Sequence, residues 1–387
     1  MTQYDVVVIG GGIHGVGVAQ AAAAAGYSVL VLEQSKLAAG SSSRSSKLIH
    51  GGLRYLESAQ FSLVYECLHE RQRLLRLAPE LVRLEAFHIP IYKDSKRRPW
   101  QLRSGLSLYA MLGGLHRSSL FRQLSPSLGT QLDGLRTDGL QSVFRYYDGM
   151  SDDVALTRAV MRSAQSLGAE LQMPARFLHA LIEEDRVEIS YQQGENELFC
   201  QAKVLINAAG PWVNEVMERI TPTQKMVAVD MVQGSHLILD TELKAGSYYM
   251  EAPEDGRAIF FLPWKGKAML GTTELHYRGP PGDVHVLPEE HEYLLRVMQH
   301  YFPALSGTMV VDEFAGLRIL PQAEGGTHFS RPRDTRLVHN NKRLLSIYGG
   351  KLTTYRLSAE KIIKQLQGIL GPAQRVAYTD KLTLEPA

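Results

Sequence analysis

The first apolar run of the chain, DVVVI at residues 5–9, is continuous and β-branched, the pattern of a strand buried on both faces of a parallel sheet. Gly10-Gly11-Gly12 follows, then a segment rich in small residues, IHGVGVAQAAAAAG, which predicts a helix stopped by Gly26. A second apolar run at 28–32 ends at Glu33 and completes a βαβ unit. Helical spacing returns at 61–78, with Leu63, Cys67, Leu74 and Leu75 on one face before Pro79, and at 153–167 behind the acidic pair Asp152-Asp153. Residues 203–208 predict a short buried strand ending at Ala209-Gly210-Pro211. From 226 to about 275 the pattern becomes alternating, which predicts antiparallel sheet. Residues 343–348 revert to a buried strand, followed by Gly349-Gly350-Lys351 and a helix over 353–369.

The fold class expected from this order is α/β. A Rossmann-like nucleotide domain with a parallel sheet is assembled from 1–80, 140–215 and 335–387, and an antiparallel-sheet substrate domain from 81–139 and 216–334 is inserted into it. The length, 387 residues, suffices for two such cores. Lys and Arg total 42 against 40 Asp and Glu, a balance that argues against nucleic acid as a partner. Cys67 and Cys200 are far apart without metal-ligand spacing and fit a reducing compartment. The N-terminus enters its first strand without a basic or apolar leader, so a cytoplasmic location is expected. One segment complicates that picture. Residues 96–113, KRRPWQLRSGLSLYAMLG, combine a basic start with apolar spacing. They suit either peripheral contact with the inner face of a membrane or packing on their own domain.

Candidate chemistry gathers at the glycine-rich turns. Gly10-x-Gly12-x-x-Gly15, between a strand and a helix, is the dinucleotide fingerprint in its required context, with backbone close to a pyrophosphate. Glu33 at the end of the second strand is placed to accept a ribose hydroxyl. These features imply an adenine dinucleotide without separating FAD from NAD. In GGKLTT at 349–354 a strand runs into two glycines and a helix start whose threonines can serve as N-cap. Its unpaired N–H groups would stabilise the charge that a reduced flavin carries at its N1–C2=O edge. Arg54, Arg318 and Arg331 are candidate anion ligands. The first two have glycine and apolar neighbours that suggest partial burial, while Arg331 in SRPRD reads equally as surface. His50 and His236 are the imidazoles to weigh, although a lone histidine in a strand is more often structural.

The stretches VVVIGGGIHGVGVA, SSKLIHGGLRYLE, NAAGPWVN, QGSHLIL, GTTE and YGGKLTTYR together resemble the FAD-dependent glycerol-3-phosphate dehydrogenases, within the D-amino-acid-oxidase-like flavoproteins. The resemblance spans most of the chain in the family's order. It implies FAD contacts at Gly10, Gly12, His14, Gly15, Glu33, Gln34, Ser42, Ser45, Ser46, Lys47, Leu48, His50, Ala209, Gly210, Trp212, Gly350, Lys351, Leu352 and Thr353. It implies a substrate pocket formed by Arg54, Tyr55, Arg318, Arg331 and Lys351, with His236 first and His50 second as base. The implied reaction is oxidation of sn-glycerol 3-phosphate to dihydroxyacetone phosphate, with hydride passing to flavin N5 and electrons then to a quinone.

Four departures from the family pattern bear on the substrate. The chain stops soon after the last helix, where these dehydrogenases usually carry a helical domain. Ile319 follows Arg318 where proline is usual, Gln233 stands where lysine is common, and Arg44 interrupts a run of small residues. An enzyme of the same fold oxidising another small anion, an amino acid or a 2-hydroxy acid, with oxygen as acceptor, is the alternative.

Overall fold

The computed structural model describes residues 1–125, 127, 131–322 and 335–386. Among these, one sheet has nine strands and a second has ten. The first is organised around strand Thr2–Ile9, fully buried from Val6 to Val8. It pairs in parallel with Val29–Leu32 on one side and Asn196–Asn207 on the other. Glu170–Gln172 and Leu344–Tyr348 extend the parallel set outward. All these strands end at one edge, and Gly10, Glu33, Ala208 and Gly349 follow there. An open parallel sheet binds its ligand in that position. The front half of Asn196–Asn207 pairs instead with Val187–Gln193, which continues antiparallel to Arg176–Ile182.

Helix Ile13–Ala24 is buried along nearly its whole length, between the sheet and helices Asp153–Ser166 and Tyr355–Leu370. Its small side chains permit this; at Gly17, for example, a Cβ would lie 2.7 Å from the Tyr355 ring. Burying a valine such as Val16 or Val18 here stabilises the fold by about 1.5–3 kcal/mol. Asp152 caps the Asp153–Ser166 helix by accepting the Val154 and Ala155 N–H groups, both at 3.1 Å. The last helix begins differently from expectation. No threonine side chain caps it, and the Thr353 hydroxyl is instead engaged by the His50 N–H at 3.1 Å.

In the second sheet, Val229–Leu239 pairs antiparallel with Val310–Pro321 along its full length. Its other edge is shared by Leu275–Tyr277 and Lys267–Gly271. The sheet continues through Ala258–Trp264, Ser247–Glu251, Val82–Tyr92 and Leu140–Ser151. The last of these differs from the expected boundary. Residues 140–151, assigned from sequence to the nucleotide portion, pair with Val82–Tyr92 from Val82↔Ser151 to Tyr92↔Leu140. Their apolar run is buried by the second core, where Val143, Phe144 and Tyr146 pack.

Segment 96–113 contains helix Pro99–Leu112. Leu102, Leu106, Tyr109 and Ala110 bury one face on the second sheet, while Trp100 and Met111 are 67% and 64% exposed. Among the described residues no helix is long and apolar enough to cross a membrane.

Candidate active site

The strand ends of the first sheet and one face of the second enclose a cleft of about 920 Å³. Two backbone turns, at Gly10 and Gly350, shape its floor. Gly10 has φ +105°, and a Cβ there would lie 2.6 Å from the Ala208 carbonyl oxygen. A Cβ on Gly15 would overlap the Gly10 carbonyl, so this glycine lets the helix close onto the strand and does not itself line the cleft. Gly350, at φ +110°, abuts the ring of His14. Glu33 lines the cleft with its carboxylate fixed, one oxygen accepting the Gly11 N–H at 2.7 Å and the other the Ser35 N–H at 2.8 Å. Gln34 lies beside it. Ser42 accepts the Ile13 N–H at the helix start, at 2.9 Å.

The serine cluster and the double glycine cross between the two sheets. Ser45, Ser46, Leu48 and His50 line the cleft, as do Leu352 and Thr353 from the last helix start. The hydrogen bond from the His50 N–H to Thr353 joins these two segments, which lie 303 residues apart. Ala209, Gly210 and Trp212 close the same side, Gly210 in a left-handed conformation at φ +56°. Lys47 was expected at the cofactor, but its ammonium turns inward. It pairs with the buried Asp153 at 2.8 Å and donates to the Ser43 carbonyl at 2.6 Å. A buried lysine needs such a partner, and Asp153 also accepts the Ser45 hydroxyl at 2.7 Å.

Arg54, Tyr55, Arg318 and Lys351 all line the cleft. Arg54 and Arg318 are both half-buried, as their neighbours implied. The Lys351 ammonium lies 3.9 Å from the centre of the Tyr55 ring and is buried without a hydrogen-bond partner. Arg331 lies outside the described residues.

His236 is buried on strand Val229–Leu239 and stacks on Phe314 with ring centres 4.8 Å apart. Its Nε2 meets the Ser46 hydroxyl at 2.9 Å, while Nδ1 is buried and unpartnered. Burial, reinforced by Arg318 and Lys47, pushes its pKa down to about 3, so the ring is neutral near pH 7. His14 also has a buried, unpartnered Nε2, and burial pushes its pKa down to about 4.

Two buried polar clusters behind the cleft have no counterpart in the sequence reading. In one, Glu290 accepts from Gln233, Ser235 and Thr273 at 2.5, 2.7 and 2.5 Å, bracing the strand that carries His236. Here Gln233 supplies a neutral donor where the family pattern has a cation. In the other, Arg71, Asp148 and Tyr109 support Gly51. Each residue taken singly reads as an ordinary helix or strand position, so no local signal exposes either cluster.

Residues 5–356 match the model of the FAD dependent oxidoreductase family. The chain belongs to that family. Among curated relatives, glycerol-3-phosphate dehydrogenase of Pseudomonas aeruginosa is 37% identical over 383 residues, 96% of this chain and 73% of the relative. Aerobic glycerol-3-phosphate dehydrogenase of Escherichia coli is 36% identical, over 96% of this chain and 76% of the relative. D-erythritol 1-phosphate dehydrogenase of Brucella abortus is 35% identical, over 94% and 74%. Among solved structures, the glycerol-3-phosphate dehydrogenase of Bacillus halodurans complexed with FAD superposes with a TM-score of 0.79 at 26% identity, covering 99% of this chain and 68% of that one.

The chain is thus an FAD-dependent oxidoreductase of the glycerol-3-phosphate dehydrogenase group, and its own residues fit the cofactor. The helix start and Gly10 turn suit a pyrophosphate, and Glu33 suits a ribose. His14, beside the Gly350 turn, presents a buried ring nitrogen lacking a protein partner.

Proposed function

We propose that this flavoprotein oxidises sn-glycerol 3-phosphate to dihydroxyacetone phosphate. The observation that carries the reading is the Lys351 ammonium, buried without a hydrogen-bond partner at the cleft that Arg54 and Arg318 also line. A buried cation of this kind is stabilised by an anionic ligand. The names of the curated relatives, glycerol-3-phosphate dehydrogenase and D-erythritol 1-phosphate dehydrogenase, support a phosphate ester as that anion.

FAD, when bound, would supply the two-electron acceptor for the hydride on substrate C2. Arg54, Arg318 and Lys351 hold the phosphate and so position C2, replacing a bimolecular encounter by a fixed geometry. His236 receives the proton of the C2 hydroxyl, and His50 is the second candidate for that role. A ring with a pKa near 3 is a weak base; burial is the main cause, and the positive charges of Arg318 and Lys47 add to it. A phosphate dianion at Arg318 offsets this charge and brings the imidazole closer to the range useful for catalysis. The Ser46 hydroxyl fixes the ring's orientation through Nε2. At the second helix start, the N–H groups beside Lys351 would stabilise negative charge on the bound cofactor.

The acceptor is a quinone or oxygen. The exposed Trp100 and Met111 support approach to a membrane surface, with Arg97 held in ion pairs to Glu57 and Glu251 behind them.

The 35% identity to D-erythritol 1-phosphate dehydrogenase favours a longer polyol phosphate as the second reading. Turnover with an artificial electron acceptor separates them. The glycerol reading expects kcat/KM to be highest for sn-glycerol 3-phosphate. A value at least tenfold higher for an erythritol phosphate would replace it.

A further inference from the structure

Why is Gly51, which touches no part of the cleft itself, wedged so tightly? A Cβ built on it would lie 2.5 Å from the Tyr109 hydroxyl and 2.6 Å from Leu68. Its N–H donates to that hydroxyl at 2.9 Å. The hydroxyl in turn donates to the Asp148 carboxylate, 2.9 Å from each oxygen. Asp148 is paired at 2.5 Å with Arg71, which also donates to the Tyr147 carbonyl at 2.7 Å and to Ser119 at 2.9 Å. Arg71, Tyr109 and Asp148 are all at least 98% buried.

On the other side of Gly51 the turn continues through Gly52, at φ +77°, into the short helix Leu53–Leu56. The Tyr55 ring packs directly on Gly52, and Lys351 sits over that ring. A buried ion pair between helix Phe61–Leu77 and the strand Leu140–Ser151 is thereby linked by one tyrosine hydroxyl to the backbone that carries Arg54 and Tyr55.

We infer that Tyr109, held by the Arg71–Asp148 pair, is the positioning residue for the anion-binding wall formed by Arg54, Tyr55 and Lys351. This rests on the reading of that wall as the phosphate site. Without the hydroxyl, the Gly51 N–H loses its 2.9 Å partner and keeps only its interaction with the Asp148 carboxylate, so the turn relaxes. The wall then loses its preset geometry, while the dinucleotide turn at Gly10 and the Glu33 carboxylate are untouched.

The test is Tyr109→Phe in the FAD-loaded enzyme, with Tyr92→Phe as control. Tyr92 is equally buried and its hydroxyl donates to the Arg136 carbonyl at 2.7 Å, away from the cleft. Two quantities are measured: KM for sn-glycerol 3-phosphate, and the Kd for inorganic phosphate from perturbation of the flavin absorbance. In Tyr109→Phe both are expected to rise about tenfold, the equivalent of one lost buried hydrogen bond, with FAD affinity unchanged. In Tyr92→Phe neither should move. A Tyr109→Phe enzyme whose KM and phosphate Kd stay within twofold of the parent, with only thermal stability reduced, would overturn the inference. So would a loss confined to FAD affinity. If Tyr109→Phe does not fold, Gly51→Ala makes the same test, because its methyl must displace the hydroxyl. A parent enzyme that binds phosphate but does not turn over sn-glycerol 3-phosphate would refute the substrate reading and leave the phosphate comparison to decide this one.

Discussion

Replacing Lys351 by methionine keeps the length and packing of the side chain and removes its charge. In the free cleft the ammonium has no hydrogen-bond partner and rests on the Tyr55 ring. That cation–π contact is worth about 0.5–2 kcal/mol, which is offset by the cost of holding a poorly hydrated cation. The substrate-free enzyme should therefore keep its melting temperature or gain slightly. With a phosphate bound the balance reverses. Truncating one member of a buried, hydrogen-bonded charge pair costs roughly 2–4 kcal/mol, which is about a 30- to 700-fold fall in kcat/KM. The assay is steady-state kinetics beside thermal denaturation of the same preparation. The opposite directions of the two effects identify a residue kept for its ligand and not for the fold. A Lys351→Met enzyme that melts several degrees lower with kcat/KM within threefold of the parent would refute the reasoning.

Other positions are as open to test. Lys47→Met should lower stability by about 3–5 kcal/mol, because it strands the Asp153 carboxylate in the interior; denaturant unfolding reads this, and a variant of normal stability would return Lys47 to the cofactor. Gly15→Ala should abolish FAD retention after gel filtration, since its methyl would collide with the Gly10 carbonyl and push the helix off the strand. His14 and His236 have folded pKa values below that of a free imidazole, so the unfolded chain binds more protons as pH falls through 6.5. Stability should fall from there and the loss be complete below about 3; a double His14→Asn, His236→Asn protein should lose less between pH 7 and pH 5, and equal losses would contradict the assignment.

The nucleotide-binding half of the fold was legible because its signals are local. A β-branched run, a glycine turn and a small-residue helix stand next to one another, and Thr2–Ile9 and Ile13–Ala24 lie where the pattern predicts them. The GGKLTT turn was legible for the same reason, although its threonine bonds across the cleft and not to its own helix. What escaped depends on long-range partners. Arg71, Tyr109 and Asp148 come from two helices and a strand, and only the fold brings them under Gly51. Lys47 stands among residues that line the cleft, yet its left-handed backbone, at φ +60°, and its pairing with Asp153 turn its side chain inward. Strand Leu140–Ser151 was misassigned because an apolar run reads alike whichever sheet buries it.

The central claim, a flavin reduced by a phosphorylated polyol, is tested most directly by anaerobic titration of the purified protein with sn-glycerol 3-phosphate while the flavin absorbance is followed. The account predicts bleaching that completes near stoichiometric addition, with dihydroxyacetone phosphate recovered in equal amount. A flavin that remains oxidised at a large excess of sn-glycerol 3-phosphate would contradict it.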